Sequence, residues 1–392
     1  PLRDVYKRQL SGTNTYTGGT FINDGVLKVT SDANLGAATG AVTLNGGTLE
    51  TDGTFSSARK VHLTGNGKLS AYNGNATFSG VIDGNGALTA NGSLVLTGQN
   101  TYKGGTFVTD YSSLTVSSDE NLGDASGDLT LGLQSTLQLD SQFSTNRKIH
   151  LDSNFASWIN TGGHDAVLNG TIDGAAILVK DDDGTLTLSG NNTYQGGTAI
   201  NKGTLIVSKD ENLGDKAGYV DFSGGTLQLG GSGFSSGREL RLNAAGIIDT
   251  NGFNGTFSGV IDNGDDPNYP GQLIKVGAGT LTLSGDSTYT GGTVINGGVV
   301  SVGADANLGA TTGALSFNGG TLQLTGSFEN SRAVTLGAGG GTIQTSLFHS
   351  NEFSGVIGGA GQLTKTGAGT LVLSGVNTYT GGAAVNGGVL SV

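Results

Sequence analysis

The chain contains no cysteine and no methionine, has one tryptophan and three prolines, and carries charge on only 13% of its 392 residues. Without cysteine, disulfide scaffolds, thiolate metal sites and cysteine nucleophiles are excluded, and the lack suits a chain that crosses an oxidising compartment unfolded, where a disulfide would block passage. Without methionine, no start codon is visible. No run approaches the roughly 18 apolar residues of a membrane-spanning helix, and no charged-then-apolar leader opens the chain. Positive charge is scarce: 19 Lys and Arg stand against 31 Asp and Glu, a formal net charge of −12 and a pI near 4.6. That balance repels phosphate backbones and anionic lipid, so nucleic acid is not an expected partner. Disorder is disfavoured too, because apolar residues make up 35% of the chain and recur in alternating runs.

What the chain has in quantity is glycine, 73 residues of it, arranged in a long-period repeat. The motif (N/S)TYxGG places Tyr16, Tyr102, Tyr194, Tyr289 and Tyr379 at spacings of 86, 92, 95 and 90 residues. Three other landmarks keep that period: NLG at Leu35, Leu122, Leu213 and Leu308; an arginine after a Phe-led turn at Arg59, Arg147, Arg238 and Arg332; and FSGVI at Phe78, Phe257 and Phe353, with Leu168 opening the divergent copy LNGTI. The repeat units run over 10–98, 99–190, 191–285, 286–375 and a partial 376–392. Residues 1–9 carry Arg3, Asp4, Lys7 and Arg8 where later copies read GAGTLTLSG, and read as adapter-like sequence outside the repeat. The last unit stops partway, so the chain is expected to be a fragment.

Within a unit, apolar and small polar residues alternate. Leu281 and Leu283 share one face and Thr280, Thr282 and Ser284 the other, the period of a half-buried strand. Helix is disfavoured, since each interior glycine costs about 1 kcal/mol there. Strands of four to seven residues separated by GG, NG, DG and SG corners, at roughly 20 to 25 residues per three-sided coil, make about four coils per unit. An all-β solenoid, a right-handed parallel β-helix, is the expected fold, its coils rising about 4.8 Å each to a rod on the order of 80 Å. An antiparallel sandwich would alternate as well but gives no reason for a 90-residue register.

The recurrent polar residues read first as structural. Asn14, Asn100, Asn192 and Asn377, with Ser287 in the fourth copy, suit a turn that bonds its own backbone. The tyrosines read as rung caps or groove-lining aromatics, with sugar contact as the functional alternative. The arginines sit two positions before Val61, Ile149, Leu240 and Val334, so strand parity turns them inward, where each needs a carboxylate or a set of corner carbonyls. Asp83, Asp173 and Asp262 are partners by period, but Gly358 holds that position in the last unit, which favours carbonyls. His62, His150, His164 and His349 show no ligand spacing, and two of them fall at outward strand positions. Gly285-Asp286-Ser287 reads as a turn rather than a nucleophile motif. Two acidic clusters break the repeat, Asp181, Asp182 and Asp183 on one turn and Asp262, Asp265 and Asp266 in the insertion DNGDDPNYPG. Clustered carboxylates can take Ca²⁺, which needs six to eight oxygens, but a solvated loop is the expected reading. No cofactor is implied.

The segments LTKTGAGTLVLSGVNTYTGG, Leu363 to Gly382, and LIKVGAGTLTLSGDSTYTGG, Leu273 to Gly292, resemble the autotransporter-associated β-strand repeat, also called the passenger-associated transport repeat. LVKDDDGTLTLSGNNTYQGG departs at its aspartates, and LTANGSLVLTGQNTYKGG departs at Ala90 and is a residue shorter. The resemblance covers the chain after Gln9. It implies a bacterial passenger folded as a β-helix outside the cell, exported across the outer membrane through a C-terminal β-barrel that this chain does not contain, and it brings no catalytic residues. The expected function is a non-enzymatic surface stalk or adhesin, with a host surface protein or glycan as partner. The alternatives are a β-helical polysaccharide-active enzyme and a stalk for an effector domain outside the chain.

Overall fold

The computed structural model describes residues 7–264 and 269–392, which fall into two compact units, Pro1–Gly196 and Gly197–Val392. Each is built of short strands paired in parallel. In the first, Thr20–Ile22 lies against Val42–Leu44, that against Val61–Leu63 and that against Ile82–Gly84, in steps of 22, 19 and 21 residues. In the second, Thr198–Ile200, Val220–Phe222, Leu240–Leu242 and Ile261–Asp262 stack in steps of 22, 20 and 21. Parallel neighbours one coil apart in sequence make a β-solenoid, as expected, and the backbone groups of each strand are met by the coils on either side. The described residues include four single turns of 3₁₀ helix, Asp32–Leu35, Asp119–Leu122, Asp210–Leu213 and Asp305–Leu308, all at the NLG landmark. None is long or apolar enough to cross a membrane.

The alternation sets which side chains face in. Leu281, Val300, Leu322 and Ile343 follow one another in register through four coils, and each is fully buried. Full burial of each such side chain stabilises by roughly 1.5–3 kcal/mol. Their neighbours Thr280, Thr321, Thr342 and Thr364 stand in the adjoining outward column. Threonine and valine suit these positions because their branched side chains pack on a pleated surface.

The repeat and the coil are not commensurate. The column Thr198, Val220, Leu240, Ile261 continues with the STYT segment, whose Thr288 amide donates to Ile261 O at 2.8 Å. The next repeat's first strand, Thr293–Ile295, then stacks on Gln272–Val276, one face further round. Thr106–Val108 does the same in the first unit, stacking on Leu88–Leu96 while Thr101 donates to Ile82 O at 2.8 Å. One repeat is therefore four turns plus one side, and equivalent residues of consecutive repeats within a unit point in different directions instead of lining one groove. Lys7–Gln9, expected outside the repeat, form a strand in register with Val26–Lys28.

Replacing Leu281 tests the stacked column. Leu281→Ala should cost about 2–5 kcal/mol, and Leu281→Asp should cost more and lower the melting temperature further, since a carboxylate would enter an apolar column. Unchanged melting in both variants would contradict the column.

Candidate functional site

The four landmarks of the repeat meet in one place, stacked coil upon coil at a single corner. The lowest layer is FSGVI, where the Ile82 amide donates to Asn100 Oδ1 of the coil above at 2.8 Å. Asn100 Nδ2 donates upward to Asn121 O at 2.6 Å. Asn121, in the NLG turn, accepts from the Ser117 and Ser118 amides at 2.9 Å and donates down to Gly98 O at 2.9 Å. Asn100 thus joins three coils, where the sequence suggested a bond within its own turn; Asn14 repeats the upper link to Asn34 O and Asn192 the lower link from Ile172 N. Ile357 N to Asn377 Oδ1 at 3.0 Å repeats the lower link, and Ser287 Oγ accepts from Ile261 N at 3.2 Å where serine replaces asparagine.

The arginine forms the top layer. Arg147 Nε donates to Asp119 Oδ1 at 2.7 Å, while its Nη atoms donate to Gly123 O at 2.6 Å and Gly127 O at 2.9 Å. Arg332 repeats this with Asp305 at 3.1 Å, Gly309 O at 2.7 Å and Gly313 O at 3.1 Å, and also donates to Ala310 O. Arg59 with Asp32 and Arg238 with Asp210 complete the set, each at 2.8 Å. All four guanidinium groups are buried, and each gathers the carbonyls that the 3₁₀ turn leaves unpaired, a use suited to a planar five-donor group. The carboxylate is the one that opens the NLG turn in the coil below. Asp83, Asp173 and Asp262, matched by period alone, lie elsewhere: strand register puts them opposite His62, His150 and Arg241.

The tyrosines sit inside this corner. Tyr102, Tyr194 and Tyr289 are fully buried, so these three offer no platform to a sugar, while Tyr16 is 38% exposed and Tyr379 is half-buried. Tyr289 Oη shares a hydrogen bond with Thr293 Oγ1 at 2.6 Å, and burial pushes its hydroxyl up to about 12. The glycine of NLG lies directly over the ring. A Cβ on Gly309, whose φ is 83°, would fall 2.5 Å from Tyr289 O and 3.0 Å from its ring.

Three buried lysines were not singled out from sequence. Lys180, Lys275 and Lys365 lie opposite Ile159, Ile248 and Ile343 in the inward column and are fully buried. Lys275 Nζ donates to Val276 O, Gly277 O and Gly297 O at 2.6, 2.7 and 3.3 Å, and Lys365 repeats the cap at Thr366, Gly367 and Gly387. Burial pushes Lys275 and Lys180 down to about 8, so the carbonyls hold a cation at neutral pH. The signal was there: in LIKVGAG and LTKTGAG, lysine shares strand parity with the preceding leucine.

The polar groups that face out are mostly paired. Asp83 binds His62 Nδ1 at 2.6 Å and Lys60 Nζ at 2.7 Å, and Asp173 binds His150 and Lys148 in the same way at 2.6 and 2.8 Å. Desolvation works against the Asp83 charge, but the Lys60 and His62 hydrogen bonds outweigh it and hold its carboxyl below the ordinary range. Asp262 accepts from Gly264 N at 2.9 Å and shares a hydrogen bond with Glu239; burial pushes its carboxyl up. Among the acidic candidates, Asp265 and Asp266 lie outside the described residues. Asp181 and Asp182 lend their carbonyls to Lys180 Nζ at 2.8 and 2.6 Å. Among the described residues no three His, Asp or Glu side chains converge as a metal site. In the second unit a groove of about 620 Å³ runs past Phe253, Asn254, Thr256 and Thr282, lined by uncharged side chains.

The family model described as Passenger-associated-transport-repeat matches the chain five times, at residues 9–29, 91–110, 178–207, 273–302 and 363–392. Over 97% of its length the chain is 34% identical to the Adhesin BmaC autotransporter of Brucella suis biovar 1, covering 12% of that protein. It is 27% identical over 54% of its length to the Probable autotransporter YfaL of Escherichia coli, covering 20% of it. The chain therefore spans a small part of the curated relatives it matches. No solved structure matches it.

Two substitutions test the corner and the lysine cap. Gly309→Ala should destabilise by roughly 1–3 kcal/mol or more through strain and overlap with Tyr289, whereas Gly303→Ala, whose Cβ would meet nothing nearer than 3.7 Å, should stay within about 0.5 kcal/mol; equal effects would contradict the stacking. For Lys275 the folded pKa near 8 lies below the unfolded value of about 10.4. Between these values the unfolded chain holds a proton the native chain has released, so native stability gains as pH rises, while below about 8 both forms are charged and the contribution is constant. The melting temperature of the wild type relative to Lys275→Met should therefore climb between pH 8 and about 10.4; parallel curves would show that Lys275 titrates normally.

Proposed function

Since the chain belongs to the passenger-associated transport repeat family, we propose that it forms a non-enzymatic segment of an autotransporter passenger and acts as a stalk or adhesin at the bacterial surface. The observation that carries this reading is the match along 97% of the chain to a protein named as an adhesin. In the full-length protein a C-terminal barrel would take the passenger through the outer membrane, and the solenoid would fold outside. The chemistry of the chain suits that life. Its coils are joined by backbone pairing and buried corner bonds without disulfides, and its outward columns of Thr, Ser and Gln leave a solvated surface.

A polysaccharide-active enzyme has less support. Asp83 and Asp173 are each occupied by a histidine and a lysine, and the carboxyls of Glu239 and Asp262 are close enough to share a hydrogen bond, whereas glycosidic cleavage needs a pair roughly 5–10 Å apart.

Beads coated with the purified chain, tested against host cells, matrix proteins and immobilised glycans, check the adhesive reading. Retention above that of beads coated with an unrelated β-protein, competed by soluble chain, is the expected result. Equal retention without competition would contradict it, and shortened products on incubation with acidic polysaccharides would favour the enzyme.

A further inference from the structure

The repeat supplies its own control for each surface position. In the strands Glu329–Asn330 and Ser350–Phe353, Glu329 stands directly opposite Glu352. At the corresponding positions the other repeats set Ser56 against Thr77, Ser144 against Val167 and Ser235 against Thr256. Like charges opposed across one strand spacing repel, yet no cation pairs with either carboxylate among the described residues. Glu352 accepts from Ser374 Oγ at 2.5 Å.

The neighbouring turn departs as well. Where other repeats place Tyr72-Asn73, Gly162-Gly163 or Asn251-Gly252, this one presents two apolar side chains together, Leu347 at 56% and Phe348 at 92% exposure, against Tyr72 alone at 52% in the first repeat. Phe348 has φ of 68°, a region bulky side chains avoid. Ser327, Phe328, Ser350 and Val372 join the two glutamates in lining a groove of about 300 Å³. On the inner side of the same stretch, Asn330 Nδ2, Thr345 Oγ1 and Asn351 Oδ1 are buried without partners, three of the four such atoms among the described residues. Where the other repeats set Ser57, Thr145 or Ser236 this one has Asn330, and where they set Ala76, Ala166 or Gly255 it has Asn351, so local consistency is given up here on both sides of the strands. Concentrated departures of that kind are the mark of a surface kept for contact.

We propose that this patch docks a basic segment of a partner protein, an arginine or lysine entering between Glu329 and Glu352 while an adjacent apolar side chain packs on Leu347 and Phe348. The inference rests on the adhesive reading and names the partner chemistry of one site within it. Charge complementarity selects the occupant. Two carboxylates one strand apart offer a planar guanidinium a paired acceptor, and an exposed apolar tip beside them favours an apolar neighbour. A neutral glycan supplies no cation, and an acidic one is repelled.

Fluorescence anisotropy with three labelled nine-residue peptides, alternating leucine with arginine, lysine or glutamate, tests it on the whole chain. The arginine peptide should bind best, the lysine peptide more weakly and the glutamate peptide not at all, with affinity falling as salt rises. Glu329→Gln with Glu352→Gln, and separately Phe348→Gly, should each weaken the arginine peptide tenfold or more while melting at or above the wild-type temperature. Failure of the arginine peptide to bind, binding indifferent to its charge, or equal binding by the folded variants would overturn the site. Such a failure with bead retention intact would leave the adhesive reading standing, whereas peptide binding without retention would support the site and sink that reading.

Discussion

Every coil of this protein must lie flat on the next at strand spacing, corners included. Strands meet the demand without help, because a parallel neighbour above and below satisfies each backbone group. A corner that leaves extended geometry does not, and the 3₁₀ turn at the NLG landmark is such a departure in each of the four full repeats. Its carbonyls point where no strand can reach them. A buried guanidinium from the following coil collects them, and the aspartate that opens the turn neutralises its charge. Because an uncompensated buried charge costs several kcal/mol, neither partner is useful without the other. The lysines answer the same need at a second corner with carbonyls in place of a carboxylate.

The outside of the solenoid is free of that demand, and there the repeats diverge. Outward positions hold serine and threonine in most coils, a histidine–aspartate–lysine set at His62 and His150, and opposed glutamates at Glu329 and Glu352. Since one repeat advances four turns and one side, a feature carried once per repeat is turned to a new face in the next repeat of the same unit. Within one unit, a solenoid built this way sets the variations of successive repeats on different faces instead of along a single continuous groove.

Much of the fold was legible in the sequence because a solenoid writes its architecture locally. Alternation in Gly279 to Gly285 located a strand and its inner face, and the 90-residue landmarks located the repeat. The extra side per repeat was not legible, since it depends on which strand the GDSTYTGG segment displaces. The arginines could be turned inward by parity, but their partner could not be chosen by period. Asp83 and Asp173 keep the right spacing, yet the carboxylate that matters precedes the arginine by 27 or 28 residues, one coil below. The lysines were missed because a charged residue reads as exposed unless strand parity is trusted over composition. The candidate contact patch at Glu329 and Glu352 was invisible for a different reason, because the two residues are 23 apart and become opposed only when the coils close.

The corner stands or falls on coupling between the arginine and the aspartate beneath it. A double-mutant cycle on Arg332→Met and Asp305→Ala, read by denaturant unfolding, measures it directly. If the buried guanidinium and the turn carboxylate act as one unit, each single change should cost several kcal/mol and the pair should show a coupling energy of about 1.5–3 kcal/mol. Costs that add to within about 0.5 kcal/mol would mean that the corner holds without this interaction, and that strand stacking alone keeps the coils in register.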